Sequence, residues 1–223
     1  MLARATPVVA DPLVGAVFLG ASDLHTCTGS VLHSHAGNLI LTAAHCLASN
    51  DSATFSPGFS GRTDPAATWT VDAIYLDPRW LAAQDPVADF AIARVSREDG
   101  RSVESAAGKG LTLGTAPSPG TVVRITGYPL SVGGEPIGCR AATATSARGF
   151  PAMQCAGLSD GTSGAPWRTD SNVVGLTGGL NGGGCDETVS YSPPFDGRIV
   201  DLLGRAEAGG PADTAPEAAA NGC

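Results

Sequence analysis

A histidine, an aspartate and a serine stand far apart in this chain, and each has neighbours that suit one part of acyl-transfer chemistry. His45 falls near the end of the run Leu41-Thr42-Ala43-Ala44-His45-Cys46, where an apolar segment leads to a group that titrates near neutrality and can take up a proton and return it. Asp89 opens Asp89-Phe90-Ala91-Ile92-Ala93-Arg94-Val95, a carboxylate at the head of a short apolar strand. Ser163 sits in Gly161-Thr162-Ser163-Gly164-Ala165-Pro166, whose glycines free the backbone to turn sharply and aim the amides of Gly161 and Ser163 at one point where an oxyanion can develop. A serine hydroxyl is a poor nucleophile at neutral pH, so it needs a base and a third group to hold that base in the right tautomer. His45 can supply the first and Asp89 the second. Asp77 and Asp85 compete with Asp89, but each is followed directly by proline, which suits a turn rather than a strand entrance. Taken singly, the three have plainer readings as a core histidine, a loop acid and a glycine turn. Their occurrence together, in the order His, Asp, Ser, is what makes the pattern specific.

The elements that must position these groups are mostly strands. Thirty Gly and 16 Pro, with only 15% charged residues in 223, favour short strands and tight turns over long helices. Apolar segments bounded by turn residues occur at 13–19, 28–33, 39–42, 71–76, 90–95, 122–126 and 173–176, giving an all-β fold class. One helix is expected over 196–208, where Ile199, Leu202, Leu203 and Ala206 keep helical spacing behind an Asp196 cap. The Gly-, Pro- and Thr-rich stretch 108–120 reads as a linker within a single domain, 1–223, and 209–217 as a mobile tail tethered only if Cys223 is bridged.

A net charge of −8 and a pI near 4.8 leave no basic stripe for phosphates, so nucleic acid is not an expected partner. No apolar run approaches the roughly 18 residues of a membrane span, and residues 1–12 lack the apolar core of a signal peptide. Six cysteines, an even set, point to an oxidising compartment, and the hairpin-like separation of Cys139 and Cys155 suggests one bridge. His33 and His35 form a His-x-His pair, but with no third ligand nearby in sequence they read as part of a polar hairpin turn; His25 has no evident partner. No metal and no cofactor is expected.

At its three motifs the chain resembles the chymotrypsin-like (trypsin-like) serine peptidases. The run Val173-Val174-Gly175-Leu176-Thr177-Gly178-Gly179, followed by Val189-Ser190-Tyr191, is similar to the secreted bacterial branch. The resemblance spans residues 13–205. It implies two six-stranded antiparallel β-barrels, about 13–108 and 121–195, with His45 and Asp89 from the first, Ser163 from the second, and a C-terminal helix and tail at 196–223. It implies a Cys27–Cys46 disulfide beside the histidine, which with Cys139–Cys155 leaves Cys185 for Cys223. It also implies a secreted, monomeric serine endopeptidase acting on protein or peptide, with no membrane partner and with Gly157, Thr177, Gly178 and Gly179 at the substrate site. A catalytically inactive homologue serving as a binding module, or an esterase with the same triad, are the alternatives. The chain departs from the family in places. Thr162 stands where the animal enzymes carry an activating aspartate, so the oxyanion hole is expected to form without amino-terminal cleavage. Gly157 and Thr177 replace charge-selecting residues of relatives, which makes an uncharged side chain before the scissile bond the default, with Asp160 and Asp186 in loops that could reach the pocket. Gly178 replaces a serine that supports the catalytic aspartate.

Overall fold

Short strands limited by glycine and proline close into a barrel in the first half of the chain. The computed structural model describes residues 2–47, 52–184 and 186–217. Strand Leu24–Leu32 pairs with Val14–Leu19, then follow Ala53–Pro57, Trp69–Leu76, Ala91–Ser96 and Leu39–Thr42, and the last pairs back onto Leu24–Leu32. That return pairing, Ser30 opposite Leu41 and Leu32 opposite Leu39, closes six strands and leaves no free edge. Val17, Val31, Leu41, Phe55, Tyr75 and Ile92 fill the interior and are fully buried. The segments expected at 39–42 and 71–76 coincide with or fall inside observed strands.

The second half does not close, which corrects the expectation of two complete barrels. Its path runs Ala3–Arg4, Pro151–Ala156, Ile137–Thr145, Val122–Gly127, Pro166–Thr169, Asn172–Leu176 and Thr112–Leu113, with Val189–Tyr191 and Thr6–Pro7 paired off it. Closure would need Asn172–Leu176 to pair with the chain after Val189. There Leu176 N–H instead donates to the Ser192 side-chain Oγ at 3.0 Å, and Pro193 and Pro194 have no N–H with which to extend the ladder. Val123, Ile125, Met153 and Trp167 form the core of this half, crossed by the Cys139–Cys155 disulfide.

The C-terminal helix runs Gly197–Glu207, and Asp196 caps it by accepting from Arg198 N–H at 2.9 Å. Ile199, Leu202 and Ala206 bury against the first barrel's core. Two shorter helices, Pro78–Ala83 and Val103–Ala107, were not legible as periodic segments, being about one turn each. The stretch after the last helix differs from the free tail expected from its composition. Asp213 N–H donates to Ile74 O, its carboxylate accepts Leu76 N–H at 2.8 Å, and it pairs with Arg205, so hydrogen bonds to the barrel strand and an ion pair to the helix hold Asp213 in place. Cys185 and Cys223 lie outside the described residues.

Candidate active site

His45 lies on the 3-10 turn Ala44–Leu47 directly after strand Leu39–Thr42. Ala43 and Ala44 are completely buried, too small to push the turn outward, and the Cys27–Cys46 disulfide clamps it to strand Leu24–Leu32. Asp89 terminates the turn Pro86–Ala88 just ahead of strand Ala91–Ser96. Because Thr42 and Ala91 are register partners, the histidine and the aspartate emerge from adjacent strands at the same end of the barrel.

The two side chains meet. His45 Nδ1 lies 2.8 Å from Asp89 Oδ2, and His45 main-chain N–H donates to Oδ1 at 3.0 Å. A third donor, Gly179 N–H, reaches Oδ2 at 2.7 Å. A carboxylate surrounded by donors accepts only, so the imidazole proton sits on Nδ1 and the Nε2 lone pair is left to act as a base. Asp89 is 2% exposed in its side chain and His45 21%. Burial opposes charge on both, yet the Asp89 charge and hydrogen bond lift the imidazole above its usual 6.5. In turn His45 and the two main-chain donors hold Asp89 below its usual 3.8 against its own burial. Asp77 and Asp85 are occupied elsewhere, each capping the short helix that begins at the following proline.

Ser163 sits on a loop stitched to both halves. Thr28 N–H donates to Ser163 O at 2.8 Å, Thr28 Oγ1 donates to Gly161 O at 3.0 Å, and Thr42 Oγ1 donates to Thr28 O at 2.8 Å. Thr28 therefore ties the serine loop to the strand Leu39–Thr42, which leads into the turn that carries His45. A Cβ on Gly164 would stand 2.3 Å from Thr42 Oγ1 and 3.0 Å from Ala43 N, so only glycine permits this approach. The Ser163 hydroxyl makes no hydrogen bond to a described residue; such contacts often tighten only with substrate.

The peptide groups around Gly161 are fixed from both sides. Leu130 N–H holds Asp160 O at 2.6 Å, which turns the Gly161 N–H of the same peptide the opposite way, and Gly161 adopts φ +88°. Among the described residues neither Gly161 N–H nor Ser163 N–H meets a protein acceptor. Thr162, 2% exposed, donates its hydroxyl to Ser159 O at 2.7 Å, so a local bond occupies the place of a long-range ion pair.

A cavity of about 470 Å³ opens beside Ser163, bordered also by Thr177, Ser190, Leu158, Asp160 and Glu187. Of the residues expected at the substrate site, Thr177 borders it, whereas Gly157, Gly178 and Gly179 do not. Gly157 lies behind, its N–H on Glu187 O at 2.8 Å, and a Cβ on Gly178 would stand 3.1 Å from Asp89 Oδ2. Asp186 turns away and accepts Thr188 N–H within its own turn. Support for Asp89 thus comes from the Gly179 main chain, where sequence pointed to a missing side chain at Gly178. Thr28 and Glu187 carried no sequence signal, because a strand threonine and a surface glutamate are ordinary in isolation, and Gly179 was expected at the substrate site rather than as a donor to Asp89.

His33 Nδ1 lies 2.6 Å from Glu104 Oε1, a carboxylate that sequence distance had hidden, and Glu104 lifts the exposed imidazole above its ordinary value. Among the described residues the cluster of metal-ligating types at short range is Cys27, His45 and Cys46; its two sulfurs are bonded to each other, so neither is available as a thiolate.

The closed barrel, the buried His–Asp pair and the serine loop bordering a cavity are the features of a trypsin-like peptidase. A family model described as the trypsin-like peptidase domain matches residues 27–176, and the chain belongs to that family. No curated protein matches it in a sequence search. Among solved structures, it is similar to the protease Anisep from Arthrobacter nicotinovorans, with a TM-score of 0.79, 19% identity, and coverage of 92% of this chain and 99% of the other. A thermostable serine protease AL20 from an extremophilic microorganism gives a TM-score of 0.76 at 19% identity over 89% of this chain and 98% of the other. A Glu endopeptidase gives 0.74 at 18% identity over 92% and 97%.

Proposed function

We propose that the protein is a secreted serine endopeptidase in which Ser163 is the nucleophile, His45 the general base and acid, and Asp89 the group that orients His45. The observation that carries this reading is the buried Asp89 carboxylate, which fixes the His45 proton on Nδ1 beside the loop that presents Ser163. Ser163 Oγ attacks the peptide carbonyl carbon as its proton passes to His45 Nε2. The negative charge gathered on the carbonyl oxygen is received by the Gly161 and Ser163 N–H groups, each such donor being worth about 3 kcal/mol in the transition state. His45 then gives its proton to the departing amine, leaving an ester on Ser163. Water, deprotonated by His45, attacks that ester, and the proton returns to Ser163 Oγ.

Export is supported by the disulfides Cys27–Cys46 and Cys139–Cys155, which persist in oxidising surroundings. The bonds from Leu130, Thr28 and Thr162 support an oxyanion hole that needs no new amino terminus. Activity should therefore not depend on where the amino terminus is cut ahead of the strand Ala3–Arg4, and a strict need for one defined new terminus overturns that part. The central test is casein digestion and fluorophosphonate labelling of wild type and Ser163→Ala. Labelling and digestion abolished by the substitution are expected. A wild-type protein that neither labels nor digests would be a binding module, and one that cleaves esters but no peptide would be an esterase.

A further inference from the structure

The cavity beside Ser163 is polar and negatively charged, and the chemistry above uses neither property. Among the described residues Leu130 and Leu158 are the only large apolar side chains on its wall; the remainder are serine, threonine, glycine and two carboxylates, Asp160 and Glu187. No lysine, arginine or histidine among the described residues borders it. Neither carboxylate takes part in an ion pair, whereas the ion pairs among the described residues engage Asp11, Asp77, Asp99, Asp196, Asp213 and Glu104, with Asp89 bound to His45.

A separate observation points to a ligand. Ser190 is 3% exposed and borders the cavity, yet its hydroxyl has no hydrogen-bond partner among the described residues. That oxygen keeps accessible surface of its own, unlike the enclosed hydroxyls of Thr26, Ser30 and Ser34, and is free to bond what enters the cavity. Thr177 Oγ1, bonded to Trp167 Nε1 at 3.2 Å, also lies on the wall. Gly182, Gly183 and Gly184, at φ of +62°, +112° and +134°, contribute wall without side chains to fill the space. The backbone of Glu187 is pinned at the level of Gly157 by the bond between Gly157 N–H and Glu187 O.

We infer that this cavity takes a cationic side chain, arginine or lysine, on the acyl side of the scissile bond, and that Glu187 and Asp160 determine this choice. The inference rests on the reading of Ser163 as the nucleophile. A guanidinium or ammonium group entering the cavity meets two uncompensated negative charges and the Ser190 oxygen as acceptor. An acidic side chain meets like charge, and an apolar one strips water from hydroxyls and carboxylates without replacing it. Both carboxylates are exposed at the cavity's rim, so salt should weaken the preference.

The test is kcat/KM for a series of otherwise identical peptides carrying Arg, Lys, Gln, Leu or Glu before the scissile bond, at low and high salt. It is run on wild type, Glu187→Gln and Asp160→Asn, with benzamidine as a cationic competitor. Arg and Lys should exceed Gln and Leu by about tenfold or more, with Glu poorest, since one charge pair near a surface is worth about that factor. The ratio of Arg to Gln should fall about tenfold in Glu187→Gln, and benzamidine should bind that variant more weakly. Preference for Leu or Glu over Arg, or an unchanged Arg-to-Gln ratio in both variants, overturns the inference. Fluorophosphonate labelling separates the two failures: a protein that labels and prefers Leu refutes only the cavity assignment, whereas one that neither labels nor cleaves refutes the peptidase reading and this one with it.

Discussion

Replacing Thr28 by valine removes one oxygen and leaves the shape of the side chain nearly unchanged. In the native structure that oxygen donates to Gly161 O at 3.0 Å and accepts Tyr128 N–H at 2.8 Å, at a residue that is completely buried. The valine variant keeps the main-chain bonds to Ser163 O and Thr42 Oγ1 but leaves a carbonyl and an amide without partners. Each orphaned buried group costs about 1–3 kcal/mol, so a loss of roughly 2–6 kcal/mol is expected. For a chain of this size that corresponds to a fall in Tm of roughly 10 °C. Activity should fall as well, because the Gly161 carbonyl that Thr28 restrains belongs to the residue whose N–H is read as an oxyanion donor; a misplaced donor costs up to about 100-fold in kcat. Thr28→Ser retains the hydroxyl and loses only a methyl group, so it should recover most of both. The assays are thermal melting by circular dichroism and kcat on a single peptide substrate. A valine variant that melts with wild type and keeps its kcat within twofold refutes the claim that Thr28 holds the two halves in catalytic register.

Three further outcomes follow from the titrating groups. In the proposed mechanism His45 is neutral when it accepts the serine proton, and Asp89 raises its pKa, so kcat/KM should fall with acid through a midpoint above 6.5; Asp89→Asn should move that midpoint down and cut kcat by about 10³–10⁴-fold, measured as a pH–rate profile. His25 is fully buried among Phe18, Phe59 and Tyr128, and its Nε2–H donates to Pro129 O at 2.7 Å, which leaves Nδ1 without a partner among the described residues. Burial lowers its pKa despite that carbonyl, so the unfolded chain takes up a proton near 6.5 that the folded one refuses; urea midpoints should drop from pH 7 to pH 5, and less so in His25→Gln. Asp213 is held below 3.8, its burial outweighed by Arg205 and Leu76 N–H, so its contribution is present at neutral pH and lost as pH falls through its folded value. Asp213→Asn should cost about 1–2 kcal/mol at pH 7, with the gap to wild type closing in strong acid, read from the same urea curves.

Much of this protein is written locally. The strand at 39–42, the cap at Asp196 and the turns at Asp77 and Asp85 depend on side-chain alternation and on residues next to one another, which a sequence displays directly. The order His45, Asp89, Ser163 is likewise legible, because each residue lies in a short motif of its own. Other features were fixed only by folding. The hydrogen bonds from Thr28 to Gly161 and from Gly179 to Asp89 join residues 133 and 90 positions apart. Asp213 reaches Leu76 across 137, which made a polar tail look free. The second half stayed open because the Ser192 side chain takes Leu176 N–H and the two prolines that follow have no N–H to extend a ladder, a competition visible only once the strands are side by side. Pattern and turn chemistry therefore determined the elements and the order of the reactive groups. The lining of the cavity by Glu187 and Ser190, and the donors that fix Asp89, were decided by tertiary structure, because backbone amides and exposed acids carry no mark in sequence of the partner that will stand opposite them.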